Sequence, residues 1–263
     1  MEENKKFKLV SSKKTRYLLP NILTLGGVCL GISSIKFSID GNYSLAVTFI
    51  LFAAILDALD GRIARLIKGT SEFGKELDSL TDFVSFGIAP AFVLYFWELN
   101  KYGKLGWAIT LIYSVCCVLR LARFNLTKVD KEQVWKNNFF EGIPSPAGGL
   151  LILMPLIFEL TDLKLNFDIK TIVPYYTVVI AFLLVSKLPT LSLKKISISP
   201  KSTVFILLGI GMSFISFLYY TFETLLAFGL LYLASVPASF FIYQKQSKKE
   251  ISEILDEDHE DVL

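Results

Sequence analysis

Residues Asp57–Asp82 read DALDGRIARLIKGTSEFGKELDSLTD and lie between two apolar runs, YSLAVTFILFAAIL (43–56) and FVSFGIAPAFVLYFW (83–97). The stretch carries four aspartates and three glycines, with Arg62, Arg65 and Lys68 ahead of Gly74. On a helix, Asp57 and Asp60 share a face, and Gly61 lies one turn beyond Asp57. Gly74, Asp78 and Asp82 recur every four residues and form a second stripe. A reversal of the chain between Lys68 and Phe73 brings the two stripes together in one polar pocket just inside a membrane surface.

The membrane follows from composition. The chain has 263 residues, 53% hydrophobic and 14% aromatic, and a mean hydropathy of +0.53. Soluble domains rarely stay that apolar, so an all-α polytopic membrane protein is expected. A membrane β-barrel is excluded, because it needs alternating segments of roughly 10 residues. Eight apolar segments stand out, near 18–39, 43–60, 77–98, 105–122, 147–162, 171–188, 202–220 and 224–243. They predict about eight transmembrane helices in one integral domain, 18–243. A basic segment, 1–17, precedes it and a charged tail, 244–263, follows. The polar start has no cleavable signal pattern.

With both termini in the cytoplasm, the positive-inside rule leaves only Lys36, Lys101, Lys104, Lys164 and Lys170 of the 27 Lys and Arg residues on the far side. The aspartate stretch then faces the cytoplasm. Cys29, Cys116 and Cys117 all sit in apolar runs and read as small buried hydrophobes. The only histidine, His259, lies in the acidic tail, which argues against histidine catalysis or ligation.

Four carboxylates at the edge of a membrane are costly. Insertion scales assign each Asp about 2.5–3.5 kcal/mol at the bilayer centre, and mutual repulsion adds to this. All-oxygen ligands of this kind suit Mg²⁺ or Mn²⁺, and a pair of such ions stabilises attacking and leaving oxygens in phosphoryl-type transfer. Gly61 and Gly74, lacking a Cβ, let a phosphate-bearing group approach the backbone. Ala64 keeps the same wall low, and Arg65 offers a planar fork to phosphate oxygens. Eight specified positions match by chance at ~10⁻¹⁰ per starting point, taking ~1/20 per residue.

The arrangement resembles the signature of the CDP-alcohol phosphatidyltransferase family, D-x2-D-G-x2-A-R-x8-G-x3-D-x3-D. Asp57, Asp60, Gly61, Ala64, Arg65, Gly74, Asp78 and Asp82 fill every position at the family's spacing. The resemblance implies a multi-helix membrane enzyme, usually a homodimer, that moves a phosphatidyl or related group from a CDP-linked donor to an alcohol. It implies that Asp57, Asp60, Asp78 and Asp82 bind two divalent ions and that Asp82 is also the general base. Gly61, Ala64, Arg65 and Gly74 would line the CDP site, with Asn21 and Thr24 reaching the nucleotide from the first span.

Further stretches look like the phosphatidylserine synthase branch of that family: LPNILTLGGVCLGISSI (19–35), FGIAPA (86–91), RLARFN (120–125), GIPSPAGG (142–149) and SKLPTLSLK (186–194). That branch implies CDP-diacylglycerol and L-serine as substrates, no nucleic-acid partner, and the inner (plasma) membrane as location. Serine's carboxylate needs a cationic partner. Arg120, Arg123 and Asn125 form one candidate group, and Lys187, Ser192 and Lys194 a second; the same residues also read as interfacial anchors. Two alternatives stay open: a sibling transferase using glycerol 3-phosphate, inositol phosphate or choline, and an intramembrane-carboxylate cation transporter.

Overall fold

The computed structural model describes residues 18–126, 139–163, 168–191 and 200–260. Helix α1 (Leu18–Ile39) turns through Gly41, in a left-handed conformation, into α2 (Tyr43–Leu66), where the Asn42 side chain caps the Leu45 N–H. Helix α3 (Glu72–Trp97) and α4 (Lys104–Leu126) follow. Two short helices come next, α5 (Ser145–Ile152) and α6 (Met154–Glu159), then α7 (Val173–Val185), α8 (Pro200–Tyr219) and α9 (Thr221–Glu260).

Among the described residues, α1–α4 and the Thr221–Gln244 part of α9 are long and apolar enough to cross a membrane. Ile169–Val185 and Leu207–Tyr219 are shorter apolar helices. The chain is an all-α polytopic membrane protein, and of the eight expected segments the short fifth one is interrupted. The 147–162 segment is broken at Leu153 into α5 and α6. Pro155 has no N–H to give to the Leu151 carbonyl one turn earlier. The Tyr176 hydroxyl donates to that carbonyl instead, at 2.8 Å.

The helical reading also passes over one small strand pair. β1 (Phe139–Glu141) and β2 (Pro189–Leu191) run antiparallel, with Phe140 opposite Thr190. Gly142, just after β1, has φ +74°, and a Cβ there would lie 2.7 Å from the Ser186 carbonyl. Only glycine fits that turn. The pair ties the chain entering α5 to the chain leaving α7.

Ile50, Phe86, Leu94, Tyr113, Ile152, Leu156, Ile180 and Leu184 fill the interior between α2, α3, α4, α5, α6 and α7. In lipid, packing of this kind and internal hydrogen bonds replace water exclusion as the force holding helices together. Cys117 is buried and Cys116 half-buried, whereas Cys29 is exposed on the outer side of α1, contrary to the expectation of three buried thiols.

Candidate active site

The first three helices bring the aspartates together. On α1 the buried residues are Pro20, Thr24, Gly27, Gly31, Ser34 and Ser38, one small or polar side chain per turn. A Cβ on Gly31 would lie 2.9 Å from Ser85 Cα, so α3 approaches the α1 backbone itself. The Ser85 hydroxyl donates to the Gly27 carbonyl at 3.1 Å. That approach sets the first turns of α3 beside the last turns of α2.

The reversal between them is short. Lys68 takes a left-handed conformation (φ 52°), the Gly69 N–H closes on the Ala64 carbonyl at 2.8 Å, and Ser71 caps α3 by accepting the Gly74 N–H at 3.0 Å. An N-cap serine of this kind satisfies one of the free donors of a helix start. The chain turns back where the sequence predicted it.

Asp57, Asp60 and Asp78 each offer a carboxylate oxygen, all within 4.8 Å of one another. The Thr24 hydroxyl donates to Asp60 Oδ2 at 2.6 Å. Asp82 stands one turn further along α3. Its carboxylate lies beside that of Asp57, its Oδ2 accepts from the Ser145 hydroxyl at 2.9 Å, and its buried Oδ1 receives no donor among the described residues. Divalent cations fit this donor set: hard oxygen ligands, close spacing with no direct ion pair to Lys or Arg among the described residues, and one buried carboxylate oxygen that receives no donor.

A cavity of about 300 Å³ opens beside Asp60 and Asp78. It is lined by Asn21, Thr24, Gly61, Ala64, Arg65 and Gly74, all six positions expected at a nucleotide site. Its volume falls in the usual range for small-molecule sites. A Cβ on Gly61 would meet nothing nearer than Arg65 Nη1 at 3.8 Å, so its missing side chain is open space on the cavity wall. A Cβ on Gly74 would press Ser71 Oγ at 3.1 Å and Asn21 Oδ1 at 3.3 Å. Thr70, Ser71 and Lys75 also line the cavity and were not singled out from sequence. Their position in the signature's unspecified gaps, Thr70 and Ser71 before Gly74 and Lys75 after it, was the available signal.

Directly after Asp82, α3 widens into a π-helical stretch, Phe83–Ile88, with the Ala89 N–H on the Val84 carbonyl. Such widening leaves carbonyls without their usual partners and often marks functional sites. Here α4 supplies the donors: the Tyr113 hydroxyl reaches the Phe86 carbonyl at 2.9 Å, and the Ser114 hydroxyl reaches Gly87 at 3.4 Å.

The serine-recognition candidates do not gather in one place. Buried Arg120 donates through Nε to the Ile143 carbonyl at 2.7 Å and through Nη1 to Ser145 Oγ at 2.6 Å. Arg123 donates to the Val185 and Ser186 carbonyls at 2.8 and 3.1 Å, closing the C-terminus of α7. The Asn125 amide donates to Ser79 Oγ at 2.9 Å. Lys187 is exposed; Ser192 and Lys194 lie outside the described residues. Ser145 was missed as a site residue, although GIPSPAGG had been noted.

Fold and site together define an integral membrane protein with an acidic, metal-suited centre beside a cavity of small-molecule size. The sequence profile of the CDP-alcohol phosphatidyltransferase family matches residues 17–236, and the chain belongs to that family. It is similar to the CDP-diacylglycerol–serine O-phosphatidyltransferase of Mycobacterium tuberculosis, 37% identical over 184 residues, 70% of this chain and 64% of that protein. The Mycobacterium leprae protein of the same name is 39% identical over 70% of this chain and 61% of its own length. The one from Helicobacter pylori strain 26695 is 31% identical over 199 residues, 76% of this chain and 82% of that protein. The chain thus spans less than two thirds of the mycobacterial relatives it matches.

Proposed function

We propose that this protein transfers the phosphatidyl group of CDP-diacylglycerol to the hydroxyl of L-serine, giving phosphatidylserine and CMP. The observation that carries the reading is the cavity beside Asp60 and Asp78, whose wall is built from Asn21, Thr24, Gly61, Ala64, Arg65 and Gly74. Serine as the acceptor is supported by the names of the relatives and by the stretches outside the signature.

In this reading the CDP head group occupies the cavity while the acyl chains stay in lipid. Two divalent ions, Mg²⁺ or Mn²⁺, held by Asp57, Asp60, Asp78 and Asp82, supply charge neutralisation at the diphosphate. Arg65 meets phosphate oxygens with its guanidinium fork. Thr24 holds Asp60 in place through its 2.6 Å hydrogen bond. Asp82 takes the proton of the serine hydroxyl as that oxygen attacks phosphorus and the bond to CMP breaks, an in-line displacement aided by fixed orientation. Lys187, Ser192 and Lys194 are the groups proposed to meet the serine carboxylate, since Arg120, Arg123 and Asn125 already hold protein partners.

The proposal extends to a homodimer in the inner membrane, as the family resemblance implies, and to cytoplasmic termini and active site; the Lys and Arg bias of the loops supports that orientation alone. The test is CMP release from CDP-diacylglycerol by the detergent-purified protein with Mn²⁺ or Mg²⁺. Serine, glycerol 3-phosphate, inositol phosphate and choline are supplied in parallel. Release with serine alone is expected. Release with another acceptor alone replaces serine in the reading, and metal uptake into vesicles without CMP release favours a transporter.

A further inference from the structure

The contacts of Ser145 form a directed chain. Arg120 Nη1 lies 2.6 Å from Ser145 Oγ, and Ser145 Oγ lies 2.9 Å from Asp82 Oδ2. Arginine has only donors, so the serine oxygen must accept from it. The single hydroxyl proton is then directed to the carboxylate. Both Arg120 and Ser145 are buried, and Arg120 is held from its other edge by the Ile143 carbonyl at 2.7 Å. The chain therefore occupies one arrangement.

Its backbone is fixed as well. Ser145 and Gly149 share a face of α5, one turn apart, as Asp82 and Phe86 do on α3. Ser145 meets Asp82, while a Cβ on Gly149 would lie 3.1 Å from Phe86 Cα. The two helices thus touch backbone to backbone one turn from the hydrogen bond. Gly142 binds the loop ahead of Ser145 to β2, its N–H on the Leu188 carbonyl at 2.9 Å and its carbonyl accepting from Thr190 Oγ1 at 2.9 Å.

We infer that Arg120 and Ser145 are positioning residues that select which oxygen of Asp82 reacts, rather than parts of the serine-carboxylate site. Ser145 occupies Oδ2 and leaves Oδ1, buried and receiving no donor among the described residues, as the oxygen presented, beside the neighbouring Asp57 carboxylate, to a cation or to the acceptor hydroxyl. Arg120 polarises Ser145 and lends the carboxylate a positive neighbour through one intervening hydroxyl. A charge-assisted hydrogen bond of this sort fixes geometry more firmly than a neutral one. This inference rests on the reading of Asp82 as a carboxylate of the reaction centre.

The test is a double-mutant cycle on the full-length protein in detergent, using Ser145→Ala, Arg120→Gln and the combined variant. Two quantities are read: steady-state kinetics of CMP release, and Mn²⁺ affinity from the spin resonance of free Mn²⁺. Each single variant should lower kcat by about tenfold or more, the weight of a hydrogen bond to a charged group, with the KM for serine within about twofold. The combined variant should be no worse than the poorer single one, because both changes cut the same chain. Mn²⁺ affinity should fall by about tenfold in each, again without additivity. Melting curves identify an unfolded Arg120→Gln protein, in which case Arg120→Lys takes its place in the cycle.

A selective rise in the serine KM for the Arg120 variant, with Ser145→Ala near wild type, overturns the inference and returns Arg120 to substrate binding. Additive effects on kcat and Mn²⁺ affinity overturn it too. If the wild-type protein releases CMP with no acceptor, the proposed activity fails. The Mn²⁺ arm of the cycle still decides the positioning role.

Discussion

Two pairs of glycines in this chain sit in opposite circumstances. Gly27 and Gly31 on α1 face α3, and a Cβ on Gly31 would lie 2.9 Å from a backbone atom of Ser85. Gly209 and Gly211 on α8 have nothing within 4 Å of the corresponding position. Around them Leu207, Ile210 and Phe214 are more than half exposed, as suits helices whose outer surface meets lipid. In a bilayer, apolar side chains gain little by leaving lipid for protein, so close approach has to come from small residues and polar contacts. The α1–α3 crossing uses both and holds the carboxylates. The α8 helix uses neither along its outer surface. As a sign of helix packing, glycine in a membrane helix is informative only where another backbone touches it.

That contrast is broken most sharply at the carboxylates. Asp78→Asn removes one of three acidic side chains whose oxygens lie within 4.8 Å. CMP release should drop more than ~100-fold and Mn²⁺ binding should weaken with it, while the melting temperature holds or rises as repulsion is relieved. Full activity in this variant, measured by CMP release, refutes the metal assignment. Next in size is a matched pair of leucines. Gly31→Leu forces α1 from α3 and should cost about 1–3 kcal/mol, with activity falling as Asp78 and Asp82 withdraw from α2. Gly211→Leu should stay within about 0.5 kcal/mol of wild type. Thermal unfolding in detergent reads both, and equal losses would abolish the distinction between the two crossings.

What the sequence disclosed, and what it withheld, divides along the range of the contacts. The stripes Asp57–Asp60 and Gly74–Asp78–Asp82 were legible because helical period fixes neighbours three and four apart. The reversal was legible because Gly69 and Ser71 interrupt the pattern. The gap between α5 and α6 was readable in principle from Pro155, but an apolar run with one proline also fits a kinked span. Ser145 was not readable at all. It meets Asp82 across 63 residues, and nothing in a local pattern encodes which loop closes on which helix. The same holds for Arg120, whose position at the end of an apolar run suggests an anchor and whose partners are instead Ile143 and Ser145. The π-helical stretch left no signal either, since Tyr113 and Ser114 compensate it from another helix.

A smaller loss than at Gly31 is predicted at Arg123, for which sequence and structure suggest different tests. Read as a serine ligand, Arg123→Ala should raise the serine requirement and spare the donor's. Its contacts include the Val185 and Ser186 carbonyls, where the helix α7 ends with acceptors that lack an intrahelical donor and with a negative dipole end. A guanidinium there caps the helix and steadies the segment leading to Lys187 and β2. The expected result is a loss of about 1 kcal/mol in stability and a modest, equal change in the KM for serine and for CDP-diacylglycerol. Lysine at 123 should recover part of the stability, since the dipole accepts any cation, but not the two-carbonyl geometry that a planar fork provides. A serine KM that rises alone, with the melting temperature unchanged, assigns Arg123 to the acceptor site and shows that α7 can end without it.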